Sequence, residues 1–163
     1  MIYRDDLGGC ISPHADIEPQ RLFEQADVIV FAHGPAHGAI YSDKCNSQDI
    51  SFAEKNNKKI YYVGTKDFGY NINWLIQLKD QEKNNQFNII QNDVIKYDHD
   101  AYQAIPSQYY ISLLTPTIVN GKIPITDNLG RMLSTDRAHL TKYGAIYFGE
   151  NAVAKTSYSD IFQ

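Results

Sequence analysis

Strand-like and helix-like stretches alternate along this chain, and that alternation leaves few architectures open. "EPQRLFEQA" reads as a short helix opened by Pro19, and "DVIVFAHG" follows as a buried strand ending at Gly34. "SQDISFAEKNN" has helical apolar spacing, and "KKIYYVGTK" is the next strand. "NINWLIQLKDQEKNN" reads as the most helical stretch in the middle of the chain, with a solvated polar end. "FNIIQNDVIKYD" fits a strand or a helix, and Asn92-Asp93 hints at a helix start. "QYYISLLTPTI" reads as a further strand. "KIPITDNLGRMLS" reads as a turn or hairpin around residues 127–130, because Asn, Asp and Gly favour such turns. A final helix follows His139, with Leu140, Tyr143, Ile146, Tyr147 and Val153 recurring at three-to-four spacing and Thr141 as its cap. Such alternation predicts an α/β fold, a three-layer α/β/α domain with a mainly parallel sheet. Its strands are expected near residues 28–32, 60–63 and 110–114. At 163 residues the chain has room for one domain, 1–163, and little else.

Charge and composition narrow the function. The 15 basic and 19 acidic side chains leave a net charge of −4, and no face reads as a basic run, so nucleic-acid binding has no electrostatic support. No apolar stretch approaches the roughly 20 residues of a membrane span. "MIYRDD" shows no apolar signal core. Cys10 and Cys45 are compatible with one disulfide or with two free thiols. His33 and His37 stand four apart, but Gly34 and Pro35 between them argue against a helical metal-ligand pair. No metal or cofactor is expected. The tyrosine-rich aromatic content suits both a sugar-facing surface and an ordinary core.

Chemistry concentrates in "STDRAHLTKYGA", where Asp136 and His139 lie three apart just before the last helix. A carboxylate so placed can fix the imidazole tautomer, leaving the other ring nitrogen free to take a proton from a nucleophile. The plainer reading is two solvated loop residues, with Asp136 helping to cap the helix. In α/β folds ligands collect at the carboxyl ends of strands. Here those ends are "AHGPAHG", "GTKDFGYN" and the loop carrying Asp136 and His139. Lys66 and Asp67 on the second loop, and more remotely Trp74, are candidate substrate contacts.

"LSTDRAHLTKYGA" resembles the last sequence block of the SGNH/GDSL hydrolases, D-x-x-H followed by L-S/T-x-x-G-A/H and a closing helix. The variant it is most similar to occurs in the SGNH domains of bacterial polysaccharide O-acetyltransferases. "LGGCISPHADIEPQRLFEQADVIVFAHG" is similar to the stretch around the family's second and third blocks, with Gly9 at the second block's glycine and "AHGPAHG" at the third block. "YYVGTKDFGYNINW" is similar to a stretch in proteins from capsule and surface-polysaccharide loci. The resemblance implies His139 as general base, Asp136 as its orienter, and Gly9, His33, Gly34 and His37 around the oxyanion or substrate. Its implied substrate is a carbohydrate or acylated small molecule.

The departures from the pattern are specific. No Gly-Asp-Ser and no G-x-S-x-G elbow occurs in the chain. Ser12 and Ser42 stand nearest the strand ends, but neither follows a strand into a helix as an activated serine needs. The resemblance therefore places the serine upstream of Met1 and expects a sheet lacking its first, central strand. "MIYR" filling that position, or a homodimer closing the edge, would then prevent a naked apolar edge. Three readings follow: an ester hydrolase or O-acyltransferase whose serine lies outside this chain, a catalytically inactive glycan- or partner-binding domain, and a flavodoxin-like nucleotide-binding protein. Only "GTKDFG" favours the last, since neither G-x-G-x-x-G nor a P-loop is present. The compartment, bacterial cytoplasm or periplasm, stays open.

Overall fold

A computed structural model describes residues 21–22, 24–32 and 43–155. Its centre is a parallel three-stranded sheet of β1 (Val28–Ala32), β2 (Lys59–Val63) and β4 (Tyr110–Ile111), in the order β1-β2-β4. Val28 lies opposite Lys59 and Ala32 opposite Val63, so the first two strands pair over their whole length. Tyr62 and Val63 pair with Tyr110 and Ile111. This is the α/β class with a mainly parallel sheet. "MIYR" lies outside the described residues, and among those described β1 pairs with β2 alone.

Period-two alternation decides how the sheet is covered. Ile29, Ile60, Tyr62 and Tyr110 share one face and form a cluster with Ala53 of helix α1 (Asp43–Lys55) and Ala101 of helix α2 (Asn92–Ala104). Helices that follow successive parallel strands in one direction fall on the same face when each crossover is right-handed. Tyr61 and Ile111 on the opposite face are also buried, so the sheet is covered on both sides. Asn57, at φ 54°, ends α1, and Lys58 N–H reaches back to the Ala53 carbonyl.

A second core lies beyond the sheet. Phe68, Leu75, Val94, Leu114, Ile123, Ile125, Leu133 and Phe148 of helix α3 (Lys142–Lys155) pack together there. It is bordered by an antiparallel pair, β3 (Phe87–Ile89) with β5 (Lys122–Pro124). "FNIIQNDVIKYD" thus resolves into a strand and a helix that begins at Asn92. The hairpin after β5 closes where Asp127 Oδ1 accepts the N–H groups of Leu129 and Arg131, each at 2.9 Å.

Two stretches differ from their sequence reading. "NINWLIQLKDQEKNN" forms two short 3-10 turns, Asn73–Gln77 and Asp80–Glu82, rather than a helix. Ile72, Leu75 and Leu78 are spaced by three, which suits the tighter 3-10 repeat, and Leu78 is extended at ψ 145°. "QYYISLLTPTI" is a strand only at Tyr110–Ile111. Beyond it Ser112 Oγ accepts the Thr115 N–H at 2.9 Å, so a side chain takes a partner that a strand ladder would need.

The residues at that break gather around Asp98 of α2, a buried carboxylate. It accepts hydrogen bonds from Tyr110 OH, Ser112 Oγ and Thr115 Oγ1, all at 2.7 Å. Gly64, just after β2, gives this cluster room: a Cβ there would lie 2.3 Å from the Tyr110 hydroxyl oxygen.

Candidate active site

The chain from Ser134 to Leu140 doubles back on itself. A bridge pairs Ser134 with Leu140, and Thr135 N–H donates to the His139 carbonyl at 3.1 Å. Ser134 is fully buried, its Oγ 2.5 Å from the Asp136 carbonyl oxygen and 2.6 Å from that of His139. One hydroxyl proton is shared between the two, which fills the inside of the turn.

Asp136 and His139 meet on the outside of this turn. Asp136 Oδ1 accepts the N–H groups of Ala138 at 2.7 Å and His139 at 2.8 Å. Its Oδ2 lies 2.7 Å from His139 Nδ1. The backbone N–H of Ala138 first, then that of His139, then the His139 ring pull the Asp136 carboxyl down to about 2. A carboxylate on Nδ1 makes that nitrogen the N–H donor and leaves Nε2 as the acceptor. The pair stands in the open: the His139 side chain is 81% exposed and that of Asp136 53%.

Two devices hold the turn against the rest of the molecule. Thr141 caps α3, its Oγ1 accepting the Gly144 N–H at 3.1 Å, while Thr141 N–H donates to the Leu133 carbonyl at 3.0 Å. On the other side Arg137 reaches the loop after β2, where its Nε donates to Asp67 Oδ2 at 2.6 Å. The carboxyl-end loop of β2 and the turn carrying the pair are therefore brought together, as their places in an α/β fold suggest.

The remaining candidates separate clearly. Lys66 lies half-buried on the β2 loop. Asp67 is fully buried and both its oxygens are engaged, Oδ1 by the Gly69 N–H at 2.7 Å, so it supports Arg137 instead of facing a substrate. Trp74 packs partly buried against the second core. Gly9, His33, Gly34 and His37 lie outside the described residues, as do Cys10, Ser12 and Ser42. Arg137 and Ser134 carry roles that motif reading passes over. Arg137 sits inside the D-x-x-H motif, but its partner is 70 positions away, and no local pattern links them.

Among the described residues no serine hydroxyl is hydrogen-bonded to the His139 ring, and no group of three or more His, Cys, Asp or Glu is placed to hold a metal ion. An open groove of about 470 Å³ runs along α1, lined by Ser47, Gln48, Ser51, Phe52, Lys55 and Asn56, and it includes no residue of the turn. No described helix is long and apolar enough to cross a membrane. No known protein family, curated protein or solved structure matches the chain.

Proposed function

We propose that this chain acts on esters of a surface polysaccharide or related sugar, as an SGNH-type esterase or O-acyltransferase. The observation that carries the reading is the 2.7 Å contact between Asp136 Oδ2 and His139 Nδ1 on a turn held against the β2 loop. In the proposed step a serine Oγ attacks the acyl carbonyl carbon while His139 Nε2 takes the hydroxyl proton. Asp136 stays ionised, fixes the tautomer and stabilises the imidazolium. As the tetrahedral intermediate collapses, His139 returns that proton to the departing sugar oxygen and the serine keeps the acyl group. Water or a second sugar hydroxyl then attacks the acyl carbon and gives its proton to His139, which passes it to the serine Oγ as the acyl–Oγ bond breaks.

The attacking serine comes from outside the described residues in this reading. Gly9, His33, Gly34 and His37 are its candidates for the oxyanion and substrate side, and Lys66 is a candidate substrate contact. A homodimer closing the outer edge of β1 belongs to the same proposal, and sedimentation equilibrium tests it. One observation favours a second reading, a catalytically inactive glycan- or partner-binding domain: the pair is widely exposed, with no described serine on the His139 ring. Fluorophosphonate labelling separates the two. The ester reading expects one labelled serine in the complete gene product, mapped by mass spectrometry, and loss of labelling in His139→Ala. Absence of any labelled serine favours the binding domain.

A further inference from the structure

Arg137 makes more long-range contacts than either member of the pair it separates. Besides the Nε bond to Asp67, its Nη1 donates to the Tyr70 hydroxyl at 2.5 Å. Its guanidinium carbon sits 4.1 Å from the centre of the Tyr70 ring, and its carbonyl accepts the Phe68 N–H at 2.9 Å. Phe68 is in turn fully buried and meets Phe148 of α3 edge-to-face, with ring centres 5.3 Å apart. The β2 loop, α3 and the turn thus form a closed ring of contacts, and Arg137 completes it.

An exposed carboxylate–imidazole pair contributes little by itself, because solvent screens it and ordering it costs side-chain entropy. Its geometry lasts only where the backbone beneath it is fixed. The Ser134 hydroxyl fills the turn but does not tie it to the sheet. Thr141 ties its far end to Leu133, and the Arg137 side chain ties it to the loop after β2, ending on a carboxylate with no exposed surface.

We propose that Arg137 is the positioning residue for the Asp136–His139 pair: through buried Asp67 and the Tyr70 ring it fixes the pair at the carboxyl-end rim of the parallel sheet. This deepens the ester-transfer reading and rests on it for the pair's purpose, while its test needs no turnover. Arginine is required because one planar fork serves Asp67, the Tyr70 hydroxyl and the Tyr70 ring together; lysine keeps the charge but not this geometry.

Nitrogen-15 NMR of the full chain at neutral pH tests it, with two readouts. The His139 ring shifts report the share of the Nδ1–H tautomer, and amide exchange at Ala138 and His139 reports the hydrogen bonds to Asp136. Two variants are compared with the wild type: Arg137→Lys, and the double variant Asp67→Asn/Arg137→Gln, which leaves no unpaired buried charge. Both are expected to fold, to show a mixture of tautomers, and to exchange those amides about tenfold faster or more. A folded variant with wild-type tautomer and exchange overturns the proposal. Loss of the whole fold in both variants also overturns it, since Arg137 would then support the domain and not the pair. Ester turnover or its absence bears on the ester reading alone.

Discussion

Gly144 lies so close to Leu133 that a Cβ on it would sit 1.8 Å from the Leu133 carbonyl oxygen. The same carbonyl accepts the Thr141 N–H at the start of α3. The L-T-x-x-G spacing therefore has a mechanical meaning: Thr141 caps the helix, and Gly144 lets it lie on the strand-like segment that leads into the turn.

Gly144→Ala should accordingly destabilise the protein by about 1–3 kcal/mol, the usual cost of overpacking against backbone. That loss should appear although alanine by itself favours a helix by about 1 kcal/mol over glycine. Urea unfolding followed by circular dichroism measures it. An unchanged or raised midpoint would show that α3 does not rest on Leu133.

Asp136 predicts a pH effect with a definite sign. Its carboxyl is held at about 2, below its ordinary 3.8, by the Ala138 N–H, the His139 N–H and the His139 ring in that order. A lowered folded value means that its contribution to stability is present above 3.8 and is lost as pH falls towards about 2. Carbon-13 titration of the Asp136 carboxyl should give that low midpoint. His139→Ala should raise it only part-way, because the two backbone donors remain when the ring is gone. A wild-type midpoint at the ordinary value would mean that the turn is open in solution.

Much of the sheet was legible in the sequence because "DVIVFA" and "KKIYYV" are apolar runs too short for helices, with β-branched and aromatic residues. The Asp136–His139 hydrogen bond was legible too, since three residues of spacing suffice to close it. What stayed hidden depends on distant partners. The helical reading of "NINWLIQLKDQEKNN" failed because Ile72 and Leu75 are drawn into the core at 3-10 spacing while Ile76 is left exposed. Just past the end of β4 the Ser112 hydroxyl is held by Asp98, reached from another element. Arg137 falls between Asp136 and His139 in the motif, and only the fold brings Asp67 and Tyr70 to it.

The Asp98 cluster gives a stability test away from the turn. Asp98→Ala would leave the hydroxyls of Tyr110, Ser112 and Thr115 without their shared acceptor. A cost of about 2–5 kcal/mol is expected, chiefly from the buried Tyr110 and Ser112, because the exposed Thr115 can turn to water. Tyr110→Phe removes a single donor and should cost about 1 kcal/mol. Equal costs for the two variants, read from urea midpoints, would contradict the central place given to Asp98.

Ester turnover by the complete gene product, wild type beside His139→Ala, tests the functional proposal most directly. An acetylated sugar and p-nitrophenyl acetate serve as substrates. A general base of this kind is worth about 10²–10⁴-fold, so kcat should fall by at least about 10²-fold in His139→Ala, with the fold intact by circular dichroism. Asp136→Asn should lower kcat in the same direction. Wild-type turnover that survives unchanged in His139→Ala would contradict the assignment of the pair.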